Sequence, residues 1–147
     1  MKVLLMVAVM VAGGLTAVQA GMNAQLRHSF GHGILGALTN FLIGSAALLT
    51  LVVVARVPFP SWATIGEVPR WAWLGGLCGA ALVTSITVAA RELGALYIAA
   101  LLLVGQLAMS VVLDHYGWFG FPVRPFTYAK LAGGVLLVVA LVLFKES

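Results

Sequence analysis

The stretch GGLTAVQAGMNAQLR, residues 13–27, carries the pattern that decides the fold. On a helix with about 100° per residue, its four polar side chains fall within about a quarter of the circumference. They are Thr16, Gln19, Asn23 and Arg27. The neighbouring face has only absent or single-carbon side chains, at Gly13, Ala17, Gly21 and Ala24, which predicts close packing against the backbone of another helix. An unpartnered amide in hydrocarbon is costly, so the stripe predicts contact with protein, as interhelical hydrogen bonds, or with a water-filled cavity.

Composition indicates the class of protein. The chain has 147 residues, of which 63% are hydrophobic and 8% charged, whereas a soluble domain is about one quarter charged. Apolar runs of about 18 residues or more, each able to cross a hydrocarbon core of about 30 Å, recur along the sequence. They lie at about 3–27, 32–55, 71–90, 94–114 and 127–145. Because they lack the alternation of a membrane barrel, we predict an all-α integral membrane protein with five transmembrane helices in one domain, residues 1–147.

Charge, cysteine and histidine usage exclude several functions. The net charge of +4 comes from basic residues scattered among short connections, which does not predict a nucleic-acid surface. The single cysteine, Cys78, cannot form an intrachain disulfide. His28 and His32 have a spacing seen in metal sites, but no third or fourth ligand is evident. We therefore expect no metal and no cofactor.

The first 21 residues fit either a cleaved signal peptide or a transmembrane helix. Lys2, the apolar run and AVQA at residues 17–20 resemble a cleaved signal peptide. However, the polar stripe continues past that point as far as Arg27. We therefore predict that this segment is the first transmembrane helix, with a short connection at His28–His32 leading to an antiparallel second helix.

Further polar side chains lie at depth in the second and fourth apolar runs. Asn40 is the strongly polar group of the second run, and it either hydrogen-bonds to Gln19 or Asn23 across the hairpin or lines the same cavity. In the fourth run Gln106, Ser110 and Asp114 stand at i, i+4 and i+8, which predicts a second polar stripe.

Charged residues near the ends of the runs suggest two further roles. Asp114 lies where the helix macrodipole disfavours an anion, so we expect it to have a cationic partner or a titrating role. With His115 it forms an adjacent acid–imidazole pair, which is either a proton-coupling site or an interfacial anchor. Arg91 either pairs with Glu92 at the surface or lines, as Arg27 would, a vestibule for anionic solutes.

Five short-looped helices make a small bundle, too few to enclose a solute path and seal it from lipid. An oppositely oriented partner would generate inverted repeats with a site between them near the bilayer midplane. We therefore predict a dimer in the membrane, antiparallel in orientation.

The order of several short motifs resembles the DUF606, or YdcZ-like, family of the drug/metabolite transporter superfamily. The motifs are Gly14, Gln19, Asn23 and Arg27, then NFLIG at 40–44, WAWLGGLCGA at 71–80, ELGA at 92–95, GQ at 105–106 and DHYGWFG at 114–120. The resemblance runs from about residue 10 to 144. It implies half of an inverted-repeat bundle in the bacterial inner membrane, present as a dual-topology homodimer or an antiparallel heterodimer with a paired homologue. Smaller multidrug transporters of that superfamily use a glutamate in their first helix; here Gln19 and Asn23 stand instead, which argues against cation/proton antiport.

These observations predict a secondary transporter or exporter of small polar metabolites, neutral or anionic, working by alternating access at the dimer interface. We expect the substrate to be bound by Gln19, Asn23, Asn40, Gln106 and Ser110. A non-transporting scaffold or regulatory subunit and a passive channel are the alternatives. An enzyme is not expected, because no Ser/His/Asp, HExxH or metal-ligand cluster lies at depth.

Overall fold

The computed structural model describes residues 1–145, and this part of the chain is helical throughout, with short connections. Its helices are α1 (Lys2–Phe30), α2 (Gly33–Val54), α3 (Trp62–Glu67), α4 (Gly75–Leu93), α5 (Ala95–Tyr116) and α6 (Tyr128–Lys145), with 3-10 turns at Arg70–Leu74 and Trp118–Gly120. Five helical stretches within the described residues are long and apolar enough to cross a membrane. They are α1, α2, Arg70–Leu93, α5 and α6. The predictions of an all-α fold and of five such helices are confirmed.

The first helix is longer than the sequence pattern predicts. It ends at Phe30, and Gly31 adopts the left-handed conformation, with φ 73°, that glycine accepts without steric penalty. Only Gly31 and His32 then connect α1 to α2. His28 is therefore a helical residue, and His32 belongs to the start of the next helix, where its ring accepts a hydrogen bond from the Ile34 amide.

The proline-rich connection after α2 contains a short helix, α3, that the sequence pattern does not predict. Ser61 begins it, because its Oγ accepts a hydrogen bond from the Thr64 amide at 3.2 Å. Pro60 and Pro69 lie on either side of this helix. Prolines prevent a continuous helix in this connection, and α3 lies between two of them.

The chain forms two compact units, Met1–Arg91 and Glu92–Ser147, and each is described by itself. In the first unit α1 and α2 pack as a hairpin. Every side chain of residues 1–18 is exposed, whereas Ala20, Asn23, Ala37, Val83 and Thr87 are buried. The first unit is therefore packed around the C-terminal half of α1, and the N-terminal half of α1 is uncovered within it.

The expected close-packing face of α1 is not the one that this unit uses. A Cβ atom added at Gly13 or Gly21 would meet nothing within 4 Å in the described residues. A Cβ atom at Gly36 would instead lie 3.2 Å from the Asn23 carbonyl oxygen and 3.3 Å from the Arg27 amide nitrogen. The close approach is thus made by Gly36 of α2, which packs against the backbone of α1 at Asn23 and Arg27.

In the second unit α5 and α6 pack against each other. Gly117 ends α5 in the left-handed conformation, with φ 64°, and a 3-10 turn follows it. The chain then returns to the end of α5, where the Arg124 amide donates a hydrogen bond to the Asp114 carbonyl oxygen at 2.8 Å. This bond holds the connection that leads into α6.

Candidate functional site

Two amide side chains meet across the α1–α2 hairpin. Gln19 Nε2 donates a hydrogen bond to Asn40 Oδ1 at 3.0 Å, and both side chains are partly buried. Of the two partners that the sequence left open for Asn40, the structure shows Gln19. The Gln19 Oε1 acceptor and the Asn40 Nδ2 donor make no hydrogen bond within residues 1–145. The pair therefore keeps the Gln19 oxygen as an acceptor and several N–H donors for a further group.

Asn23 lies one helical turn from Gln19, at the centre of the first unit. It is 3% exposed, and the backbone of α2 approaches it at Gly36. Thr87 of α4 is completely buried, and its methyl carbon would lie 3.4 Å from a Cβ atom at Gly36. The Thr87 hydroxyl donates to the Val83 carbonyl oxygen at 2.7 Å, so its polarity is satisfied inside α4. α1, α2 and α4 thus meet around Asn23, Gly36 and Thr87.

Three basic side chains gather where α1 ends, and we call Arg27, His28 and Arg91 the cationic cluster. The Arg27 guanidinium donates a hydrogen bond to the Val88 carbonyl oxygen of α4. Arg91 Nη1 lies 3.2 Å from His28 Nδ1, and because an arginine can only donate, the histidine nitrogen accepts. The pairing of Arg91 with Glu92 is not found within residues 1–145. Arg91 contacts α1 instead, through His28, the residue that follows Arg27.

The second unit contains an ion pair between its two helices. Lys130 Nζ lies 3.6 Å from Asp114 Oδ2, and both side chains are about one-third exposed. The same ammonium group donates to the Arg124 carbonyl oxygen at 3.1 Å. The expectation of a cationic partner for Asp114 is therefore confirmed. His115 packs its ring edge-to-face against Tyr116, with 4.9 Å between the ring centroids. Asp114 and His115 therefore have different partners, although they are adjacent in sequence.

A cavity of about 740 Å³ lies between α5 and α6. Ser110, Asp114 and Lys130 are the polar members of a lining that is otherwise apolar. The Ser110 hydroxyl donates to the Gln106 carbonyl oxygen at 2.7 Å, within its own helix. Gln106 is exposed and does not belong to the lining. Of the predicted stripe on α5, two members thus face this cavity and one does not.

Three site residues have partners that the sequence pattern does not predict. The sequence does not single out Lys130 as the partner of Asp114, because Arg124 lies nearer in the chain. The sequence predicts that His28 lies in a loop, so it does not predict the contact of His28 with Arg91. The Val88 carbonyl group carries no sequence signal at all. Groups of three or more His, Cys, Asp or Glu residues that could hold a metal ion are not found among the described residues.

Five helical stretches of the described chain that are long and apolar enough to cross a membrane define a multi-pass integral membrane protein, and the family match that follows places it in the inner membrane. The chain belongs to the DMT_YdcZ family, described as "Putative inner membrane exporter, YdcZ", whose profile matches residues 4–143. The resemblance inferred from the short motifs is therefore confirmed. No curated protein and no solved structure gives a significant match. Membership of this family points to a transporter rather than an enzyme.

Proposed function

We propose that the chain is a secondary transporter that exports small polar metabolites, neutral or anionic, by alternating access. The observation that carries the proposal is the Gln19–Asn40 pair. One hydrogen bond joins the two side chains, and the Gln19 oxygen and the Asn40 amide nitrogen remain available to a solute. A few polar groups placed in a largely apolar site are what binding pockets for small molecules contain. A solute with its own hydroxyl, amide or carboxylate group would complete both hydrogen bonds.

The charge of the surrounding helices favours neutral or anionic solutes. α1 and α2 contain no aspartate or glutamate, so no carboxylate of the hairpin would attract a cation. Asn23 lies one helical turn from the Gln19–Asn40 pair, and we call these three side chains the amide site. Arg27 and Arg91 carry positive charge at the end of α1. In the second unit, Gln106 and Ser110 are the side chains that we propose for contact with the substrate.

The proposed working unit is an antiparallel pair of chains, either two copies of this one or this one with a paired homologue. The uncovered N-terminal half of α1 supports this assembly, because in a membrane it needs lipid or protein against it. Asp114, which Lys130 contacts, and His115 are the residues proposed for proton coupling.

A non-transporting membrane subunit is the second candidate. The hydrogen bonds from Gln19 to Asn40 and from Arg27 to Val88 join different helices, and such bonds stabilise a bundle without any solute. In that case the amides serve packing alone, and removing them would change stability but no flux.

Transport in proteoliposomes separates the two candidates. Vesicles containing the protein are loaded with a mixture of neutral amino acids, short-chain carboxylates and quaternary ammonium ions, and release is followed by mass spectrometry. We expect release of a neutral or anionic member, and the double variant Gln19→Ala, Asn23→Ala should slow it at least about tenfold, since two hydrogen bonds of about 1 kcal/mol each are lost.

Thr50→Ala is the matched control, because the Thr50 hydroxyl bonds only the Ala46 carbonyl oxygen of its own helix. Unchanged flux in the double variant, or no release of any solute by the wild type, would refute the proposal. Steady current under an applied voltage would instead indicate a passive channel.

A further inference from the structure

The cationic cluster presents almost nothing but hydrogen-bond donors. Arg27 uses one donor on the Val88 carbonyl oxygen, and Arg91 uses one on His28 Nδ1. A guanidinium group has five N–H donors, so most of them stay available on both arginines. Because His28 accepts at Nδ1, a neutral ring carries its proton on Nε2, which adds a third donor to the same surface.

Acidic side chains do not balance this charge. The ion pair found within residues 1–145 joins Lys130 to Asp114 in the second unit, and none involves a member of the cluster. Arg27 of α1 and Arg91 of α4 thus form no ion pair with a carboxylate in the described part of the chain. Arginine is suited to such a place because its planar fork matches the oxygens of a phosphate or carboxylate group.

The position of the cluster along the helices indicates where its ligand comes from. Arg27 and His28 lie in the last turn of α1, and Arg91 lies in the last turn of α4. The ends of membrane-crossing helices lie at the level of the lipid headgroups, where anionic lipids attract basic side chains. α2 begins beside the cluster, since a Cβ atom at Gly33 would lie 3.7 Å from the Arg27 Cδ atom.

We propose that Arg27, His28 and Arg91 form a binding site for an oxyanion group, taken from the phosphate of a lipid headgroup or from a free anionic solute. The inference deepens the proposed function, because a solute held here would stand at the entrance to the amide site. Binding itself requires no transport, and it is measured separately.

The test uses the full chain in a neutral detergent, with native mass spectrometry after addition of phosphatidylglycerol or, as the uncharged-headgroup comparison, phosphatidylcholine. A second arm measures the shift of the unfolding temperature with inorganic phosphate and with succinate. The variants are Arg91→Gln and His28→Leu, whose side chains are exposed, with Arg70→Gln as the matched control for loss of one exposed positive charge.

We expect the wild type to retain phosphatidylglycerol over phosphatidylcholine, or to be stabilised by one of the free anions. Arg91→Gln should weaken that binding about fivefold, and Arg70→Gln should not. Retention of the lipid alone would assign the site to a headgroup, and stabilisation by phosphate or succinate alone would assign it to a solute. Equal loss in Arg91→Gln and Arg70→Gln, or no preference for any anion, would overturn the proposal. If anion binding persists while proteoliposomes release nothing, the proposed function fails and this site stands.

Discussion

Gln19 of α1 donates its side-chain amide to Asn40 of α2 at 3.0 Å, and this bond joins the two helices of the first hairpin. In a bilayer an amide without such a partner would leave polar atoms in hydrocarbon. The pair therefore has a structural role as well as the binding role that we propose. A double-mutant cycle separates this structural role from the rest of the fold.

For that cycle we expect Gln19→Leu and Asn40→Leu to show a coupling energy of about 0.5–1.5 kcal/mol, in the range found for interhelical hydrogen bonds in membranes. The measurement is reversible unfolding of the protein in lipid–detergent micelles. Thr39→Leu with Gln19→Leu is the control pair, because the Thr39 hydroxyl bonds the Leu35 carbonyl oxygen of its own helix. A coupling energy near zero for Gln19 and Asn40 would show that the bond adds nothing to stability.

Gly36 and Gly44 offer a matched pair of substitutions on one face of α2. A methyl group at Gly36 would meet the Asn23 carbonyl oxygen at 3.2 Å and the Arg27 amide nitrogen at 3.3 Å, whereas at Gly44 it would meet nothing within 4 Å. We expect Gly36→Ala to lower the free energy of unfolding by about 1–3 kcal/mol, since backbone atoms must shift. Gly44→Ala should be neutral or slightly stabilising in the same unfolding assay. Equal effects of the two would contradict the observed packing.

Asp114 and Lys130 are placed against the dipoles of their own helices. Asp114 lies in the last turn of α5, and Lys130 lies in the first turn of α6, where the opposite charges are favoured. The exchanged pair, Asp114→Lys with Lys130→Asp, should therefore be as stable as the wild type or more stable by about 0.5–1 kcal/mol. Asp114→Lys alone and Lys130→Asp alone should each be less stable than the wild type and than the exchanged pair.

The exchanged pair also tests the proposed coupling role of Asp114. If the carboxylate is needed at that position, the exchanged variant should keep its stability and lose proton-coupled flux, measured with a pH-sensitive dye inside proteoliposomes. His115→Gln is compared in the same assay. Full flux in the exchanged variant would limit the pair to a structural role.

The orientation of the chain in the membrane tests the proposed assembly. A cysteine introduced at Ser147 in a Cys78→Ser background is labelled from outside with an impermeant thiol reagent. For a dual-topology homodimer we expect about half of the chains to be labelled, because the two subunits are inverted with respect to each other. Labelling of all chains or of none would indicate one orientation, and the oppositely oriented partner would then have to be a homologue.

Hydrophobic run lengths were sufficient to predict the five helices, because a bilayer dictates how many apolar residues a crossing helix needs. The position of Asp114 at a helix C-terminus predicts a cationic partner or a titrating role, and the structure shows the cationic partner. Helix ends were less accurate. α1 continues to Phe30, where Gly31 provides the left-handed terminating residue, whereas the polar residues Arg27, His28 and Ser29 end the apolar run earlier.

The close-packing face was not predictable from residue size alone. Gly13 and Gly21 present the same small surface as Gly36, yet only Gly36 meets another helix within the first unit. Which small face is used depends on how the neighbouring helix crosses, and that depends on contacts distant in sequence. The contact of Arg91 with His28 likewise joins residues 63 positions apart.

The unequal lengths of the helices make the chain responsive to bilayer thickness. α1 has 29 residues and α6 has 18, which correspond to about 43 Å and about 27 Å at 1.5 Å per residue. In a hydrocarbon layer of about 30 Å, α1 must tilt or extend into the headgroups, while α6 scarcely spans the layer upright. In a thicker membrane α1 would tilt less and match the hydrocarbon layer better, whereas α6 would become shorter than that layer. A change in lipid thickness therefore improves the fit of one helix and worsens the fit of the other.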